Sequence, residues 1–188
     1  LTTLSRTLGL SFAAGVNLYA TVAILGLASR YQWVDLPEQF RVFNNNWIIG
    51  AALVLYLVEF AADKIPWVDS VWDVVHTVIR PAGAALIAVA SIGHAQPALQ
   101  VVAALAGAGL ASGSHLAKAG TRFGANTSPE PLSNWILSLS EDGFVVVLGL
   151  SALKYPLAAA VIVIVGVAVI VMSARWLLRR LRRRMRRA

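Results

Sequence analysis

The chain has no cysteine in its 188 residues. That excludes a disulfide frame, a thiolate metal site and a thiol nucleophile. Charge is scarce as well: Asp, Glu, Lys and Arg make up 13% of the chain, against about 25% in soluble domains. There is no H-E-x-x-H, no G-x-S-x-G and no P-loop, so the corresponding metalloprotease, hydrolase and nucleotide sites have no sequence support. The spaced aspartates of membrane phospholipid-headgroup transferases are missing too. What fills the chain is apolar: 58% of residues are hydrophobic and the mean hydropathy is +0.70, where soluble domains use roughly 45–50%. The class this predicts is all-α, a polytopic membrane helical bundle, because the apolar runs are too long for barrel strands and lipid leaves no unpaired backbone.

The net charge of +7 is unevenly placed. Eight of the sixteen basic residues, Arg175, Arg179, Arg180, Arg182, Arg183, Arg184, Arg186 and Arg187, lie in the tail, and the rest of the chain is at −1. Because this tail directly follows a strong apolar run, topogenesis and attraction to anionic headgroups explain it better than nucleic-acid binding. The chain opens on Leu1 rather than Met, which predicts a few preceding residues. Its first apolar segment carries Arg6, Asn17 and several glycines, which suits a span better than a cleaved signal.

Six spans are predicted: 8–29, 47–63, 81–94, 97–117, 133–153 and 156–176. Prolines at Pro81, Pro97 and Pro156 fit first helical turns. Trp33, Trp47, Trp67, Trp135 and Trp176 fall near predicted interfaces. With both termini in the cytoplasm, Arg6, Lys64, Arg80, Lys118, Arg122 and the tail arginines are inside, and Arg30, Arg41 and Lys154 outside. That agrees with the positive-inside rule. Residues 1–176 read as one transmembrane domain and 177–188 as a basic cytoplasmic tail.

Sliding the sequence by 98 residues places Gly9, Ala13, Gly15, Asn17 and Leu18 on Gly107, Ala111, Gly113, His115 and Leu116. With three spans per half, about 1–96 and 97–176, this predicts an inverted repeat of the kind that builds secondary transporters. Two readings of the small residues stay open. They permit close helix packing, or the helices unwind at Gly15–Val16–Asn17 and Gly113–Ser114–His115 and offer backbone groups to a ligand.

Carboxylates inside the spans carry the functional argument. Glu59 and Asp63, four apart, share one helical face. Glu141 and Asp142 lie in the fifth span. A carboxylate at membrane depth costs roughly 2.5–3.5 kcal/mol on insertion scales, so these must face something polar. Counting about 1.5 Å per residue puts Glu59 about 18 Å below the outer surface and Glu141 about 12 Å above the inner one, so in a core of about 30 Å the two clusters meet. Asn17 and His115 would line the same ion or substrate site. Between the second and third spans, Asp69, Asp73, His76 and Arg80 are spaced four, three and four, opposite an apolar face. This predicts an amphipathic helix near 67–80, lying at the interface or folding back re-entrantly. Asp69, Asp73 and His76 have metal-ligand chemistry without a fixed fourth ligand, so a metal cation is one cofactor reading and pairing along the helix the other. Arg80, Lys118 and Arg122 form a basic set suited to an anion or headgroup.

The run Glu59-x-x-x-Asp63-Lys64-Ile65-Pro66-x-x-Asp69-x-x-Trp72-Asp73-x-x-His76-x-x-x-Arg80-Pro81 resembles a bacterial membrane family known as domain of unknown function 4126. So do Gly15-Val16-Asn17-Leu18-Tyr19, Ser128-Pro129-Glu130-Pro131 and Glu141-Asp142. The resemblance covers nearly the whole chain and implies a single membrane domain, multi-pass in the bacterial cytoplasmic membrane. It implies no activity or substrate. Transport or conduction of a cation or protons on the buried carboxylates ranks first. Handling of an anionic lipid or polyprenyl phosphate ranks second, and an intramembrane metal-dependent hydrolase third. The expected partners are membrane lipids and a small ion or small-molecule substrate. A chain this small also suits a homodimer.

Overall fold

The computed structural model describes residues 1–127 and 131–185, and no strand is present among them. The helices are α1 (Thr2–Val16), α2 (Leu18–Arg30), α3 (Asn46–Ala62), α4 (Pro66–Ile92), α5 (Pro97–Asn126), α6 (Pro131–Lys154) and α7 (Pro156–Met185), with a 3-10 segment over Glu38–Phe43. α4, α5, α6 and α7 are long and apolar enough to cross a membrane. α2 and α3 are shorter apolar helices of 13 and 17 residues. Ser128, Pro129 and Glu130 of the Pro-Glu-Pro element, and Arg186 and Arg187 of the tail, lie outside the described residues.

α1 is the central element. It is buried from Gly9 to Val16, and α4, α5, α6 and α7 pack around it. Small side chains permit this, because without a hydrophobic force between helices in lipid, association rests on close packing. Gly9 faces the β-carbons of Ala152 and Ala159, and Gly107 faces Ala88 and the Ala84 carbonyl. Gly15 lies directly against the backbone of Ala111 and the hydroxyl of Ser114. The large apolar side chains point the other way: Val74, Val78, Leu86, Leu105 and Ile164 are all exposed, as expected of helices whose solvent is lipid.

Of the two readings left open for the small-residue pattern, unwinding holds in its first copy: the first span breaks at Asn17, whose backbone is extended (φ −149°, ψ 103°). The Asn17 amide N–H bonds the Ala13 carbonyl and its Oδ1 accepts from the Ala20 N–H at 2.9 Å. One residue thus closes α1 and caps α2. The repeat-related Gly113–Ser114–His115 does not unwind, and α5 runs through it. One expectation is corrected: 67–80 is not a helix separate from a third span over 81–94 but the first half of α4, which continues through Pro81. The polar stripe points inward, with Asp69, Asp73, His76 and Arg80 buried, while Val71, Val74, Val75 and Val78 face out. In water that pattern would mean a surface helix; in lipid its sense is reversed. Within the basic tail, α7 continues to Met185 and Arg180 stacks on Trp176 at 3.9 Å.

Two glycines at repeat-related positions give a paired test. A methyl at Gly15 would overlap Ala111 backbone, whereas nothing lies within 4 Å of one at Gly113. Gly15→Ala should destabilise by about 1–3 kcal/mol through overpacking. Gly113→Ala should be neutral or stabilising by up to about 1 kcal/mol through helix propensity. Thermal melts of both variants in detergent check the contrast.

Candidate functional site

The inward stripes of α3, α4, α5 and α6 meet in one charged cluster. On α5, Lys118 and Arg122 are four apart. On α3, Glu59 lies in the last turn and Asp63 follows as the C-cap. These two matched pairs face each other. Lys118 Nζ donates to Glu59 Oε1 and Asp63 Oδ2, both at 3.3 Å, and lies 3.5 Å from Glu141 Oε2. Arg122 donates through Nε and Nη2 to Glu141, through Nη2 to Asp63 Oδ2 at 2.8 Å, and through Nη1 to the Asp63 carbonyl at 2.6 Å. Charge-assisted, bidentate bonds of this kind are the strongest available to side chains.

Arg80, entirely buried, holds the other end. Its Nη2 donates to Glu59 Oε1 at 2.8 Å, and its Nη1 donates to the Gly15 carbonyl at 3.2 Å. That carbonyl belongs to the last turn of α1, the negative end of the helix dipole. Nη1 also approaches His115 Nδ1 at 2.7 Å. An arginine only donates, so Nδ1 accepts and the His115 proton sits on Nε2, which donates to the Asp73 carbonyl at 3.1 Å. His76 is fixed in the opposite tautomer. Its Nδ1 donates to the Trp72 carbonyl at 2.7 Å, leaving Nε2 to accept from the Tyr19 hydroxyl at 2.9 Å. Asn17 Nδ2 donates to Asp142 Oδ1 at 3.2 Å, beside the start of α2.

The two acidic clusters read from the sequence therefore share a site, but they meet through cations. Arg80, Lys118 and Arg122, read from the sequence as an anion or headgroup set, instead face carboxylates. Their burial also removes them from the loop charges that orient the chain, so the positive-inside argument rests on the tail arginines. Asp69, Asp73 and His76 do not converge. Asp69 Oδ2 accepts from Asn126 at 2.8 Å and its Oδ1 lies 3.8 Å from Arg122; Asp73 lies 3.7 Å from Arg80; His76 is turned to Tyr19. No group of three or more His, Cys, Asp and Glu among the described residues is placed to hold a metal ion.

Among the described residues the buried ion pairs join five carboxylates, Glu59, Asp63, Asp69, Asp73 and Glu141, to three cations, Arg80, Lys118 and Arg122. The formal balance is two negative charges in excess. Glu59 Oε2, Asp63 Oδ1, Asp69 Oδ1 and Asp73 Oδ1 are buried and accept no hydrogen bond among the described residues. Buried acceptors without a donor are costly, so this surplus is chemically available for a proton or a cation.

Tyr19, Asn126 and Lys64 were not among the sequence candidates. Lys64 Nζ sits 3.0 Å over the Phe60 ring and donates to the Phe60 carbonyl and Ser138. The matched spacing of Glu59/Asp63 and Lys118/Arg122 was the readable signal for the pairing, since two i,i+4 pairs of opposite sign are complementary stripes.

The helices and this cluster define a membrane helical bundle closed around a buried ion-pair network. Within that class the chain belongs to the family described as Domain of unknown function (DUF4126), whose model matches residues 4–176. No curated protein and no solved structure matches it.

Removing one partner of a buried pair costs about 3–5 kcal/mol. Arg122→Met should lower stability by about that much, and adding Asp63→Asn and Glu141→Gln to it should restore part of the loss. Thermal unfolding in detergent measures this. A triple variant weaker than Arg122→Met would show that the three side chains do not act as one network.

Proposed function

We propose that this chain is a small secondary transporter or channel that binds a cation or relays protons on its intramembrane carboxylates. The observation that carries this reading is the surplus of buried carboxylate over buried cation, with carboxylate oxygens left without donors. A network kept only for structure has no use for two extra negative charges in a membrane, where each is expensive. Glu59 is the main ion or proton site, shared by Arg80 and Lys118, with Asp63, Glu141 and Asp142 as partners.

The break at Asn17 supports the same reading. Discontinuous helices in transporters point their free ends at charged groups near the midplane. Here the end of α1 faces Arg80 and the start of α2 lies beside Asp142. Six spans follow if α1 and α2 form one broken span and α3 another. The repeated glycine pattern lies in α1 and α5, which cross at Gly15 and Ala111. An inverted repeat would then relate the halves, and its tightly packed Gly15 and open Gly113 differ as two access states require. The anionic-lipid alternative is weaker, because the three cations already face carboxylates. A metal-dependent hydrolase on Asp69, Asp73 and His76 is weaker still, because the three diverge.

In this reading the protein sits in the bacterial cytoplasmic membrane with both termini inside. In a cysteine-free chain single cysteines report this directly. Arg41→Cys in intact cells should react with a membrane-impermeant maleimide, and Arg182→Cys only after permeabilisation. Function is tested in proteoliposomes by proton and cation flux. Glu59→Gln and Glu141→Gln should each reduce flux by about tenfold or more, the size expected for loss of a charge-assisted contact. Unchanged flux in both variants sinks the proposal.

A further inference from the structure

A groove of about 390 Å³ lies between α5, α6 and α7, with α1 as its floor, within the size range of small-molecule sites. Its walls are apolar, formed by Phe12, Val16, Phe144, Val169 and Ile170. Gly166 keeps it open, since a methyl there would stand 3.0 Å from the Phe12 ring. The polar residues Lys118 and Glu141 also line it, so the ion network reaches the groove there.

The sign of the charge that fits follows from the partners of these two residues. An ammonium has three N–H bonds, and Lys118 directs its own towards Glu59, Asp63 and Glu141. It has no donor to offer an anion. Among the described residues Glu141 is an acceptor held by Arg122 and Lys118, and its side chain is 13% exposed, the most open carboxylate of the network. Glu141 belongs to a network that, among the described residues, carries two formal negative charges in excess. Phe12 and Phe144, edge to face with centroids 6.2 Å apart, add ring faces that attract cations.

We infer that this groove takes a hydrophobic cation: an amine, quaternary ammonium or phosphonium on an apolar body. Its charge rests against Glu141 and its body against Phe12 and Phe144. The assignment rests on the transport reading only in making this cation the cargo; the binding itself stands on the groove.

The test uses two probes of one shape and opposite charge, tetraphenylphosphonium and tetraphenylborate. Each is offered by equilibrium dialysis to the full chain in zwitterionic nanodiscs. The phosphonium should bind saturably, and the borate about tenfold more weakly or worse. Glu141→Gln should weaken phosphonium binding by about tenfold. Ser140 is an exposed groove residue outside the ion network, so Ser140→Trp narrows the groove without touching the buried charges and should weaken binding similarly. Equal binding of the two probes, preference for the borate, or phosphonium binding indifferent to Ser140→Trp would each overturn the inference. Phosphonium binding that Ser140→Trp blocks, with flux indifferent to both Glu59→Gln and Glu141→Gln, supports the groove and removes the transport reading. Flux lost in Glu59→Gln without phosphonium binding overturns the groove alone.

Discussion

The fold depends on the pairing of Lys118 and Arg122 with carboxylates from three other helices. In lipid, burying apolar surface gives helices no reason to associate. Charges brought to that depth must therefore find each other. Glu59 and Asp63 arrive from the end of α3, Asp69 from the first turn of α4 and Glu141 from α6, and α5 is the element that reaches all of them. Arg80 extends the same network to the end of α1. The register of α3, α4, α5 and α6 is fixed by these contacts, because moving any one helix by a residue would turn a buried charge towards hydrocarbon.

Around that network the bundle is built in the reverse sense to a soluble protein. Small residues on α1 let its neighbours approach to backbone contact, and valines and leucines of α4, α5 and α7 form the outer surface. This explains how a single helix, α4, combines four buried ionisable side chains with a row of exposed valines. It also explains how Pro81 is tolerated within it: in a membrane bundle, neighbouring helices and side chains satisfy backbone groups that proline frees.

The network and the broken helix are parts of one device. Asn17 ends α1 so that the Gly15 carbonyl faces Arg80, and starts α2 beside Asp142. An unbroken helix would hide both ends in its own hydrogen bonds. The break places partial charges of opposite sign next to full charges that need them. Among the described residues the ion-paired cluster keeps a formal negative surplus, and its Glu141 lines the groove between α5, α6 and α7.

By itself the sequence determined the membrane class, the helical content, the inward-facing carboxylates and the family. The first three follow from composition, from period and from the expense of charge in lipid, and the family from the resemblance of its motifs, all of which are local properties. Tertiary structure alone decided which face of 67–80 is inside, where the first span breaks and what Arg80, Lys118 and Arg122 touch. The stripe of Asp69, Asp73, His76 and Arg80 has the same period whether its surroundings are water or protein. Gly15–Val16–Asn17 and Gly113–Ser114–His115 have the same pattern, yet only the first breaks, because only Asn17 can cap both ends with its own backbone and side chain. A basic residue in a sequence carries a charge but no partner; the partner exists only once four helices have met.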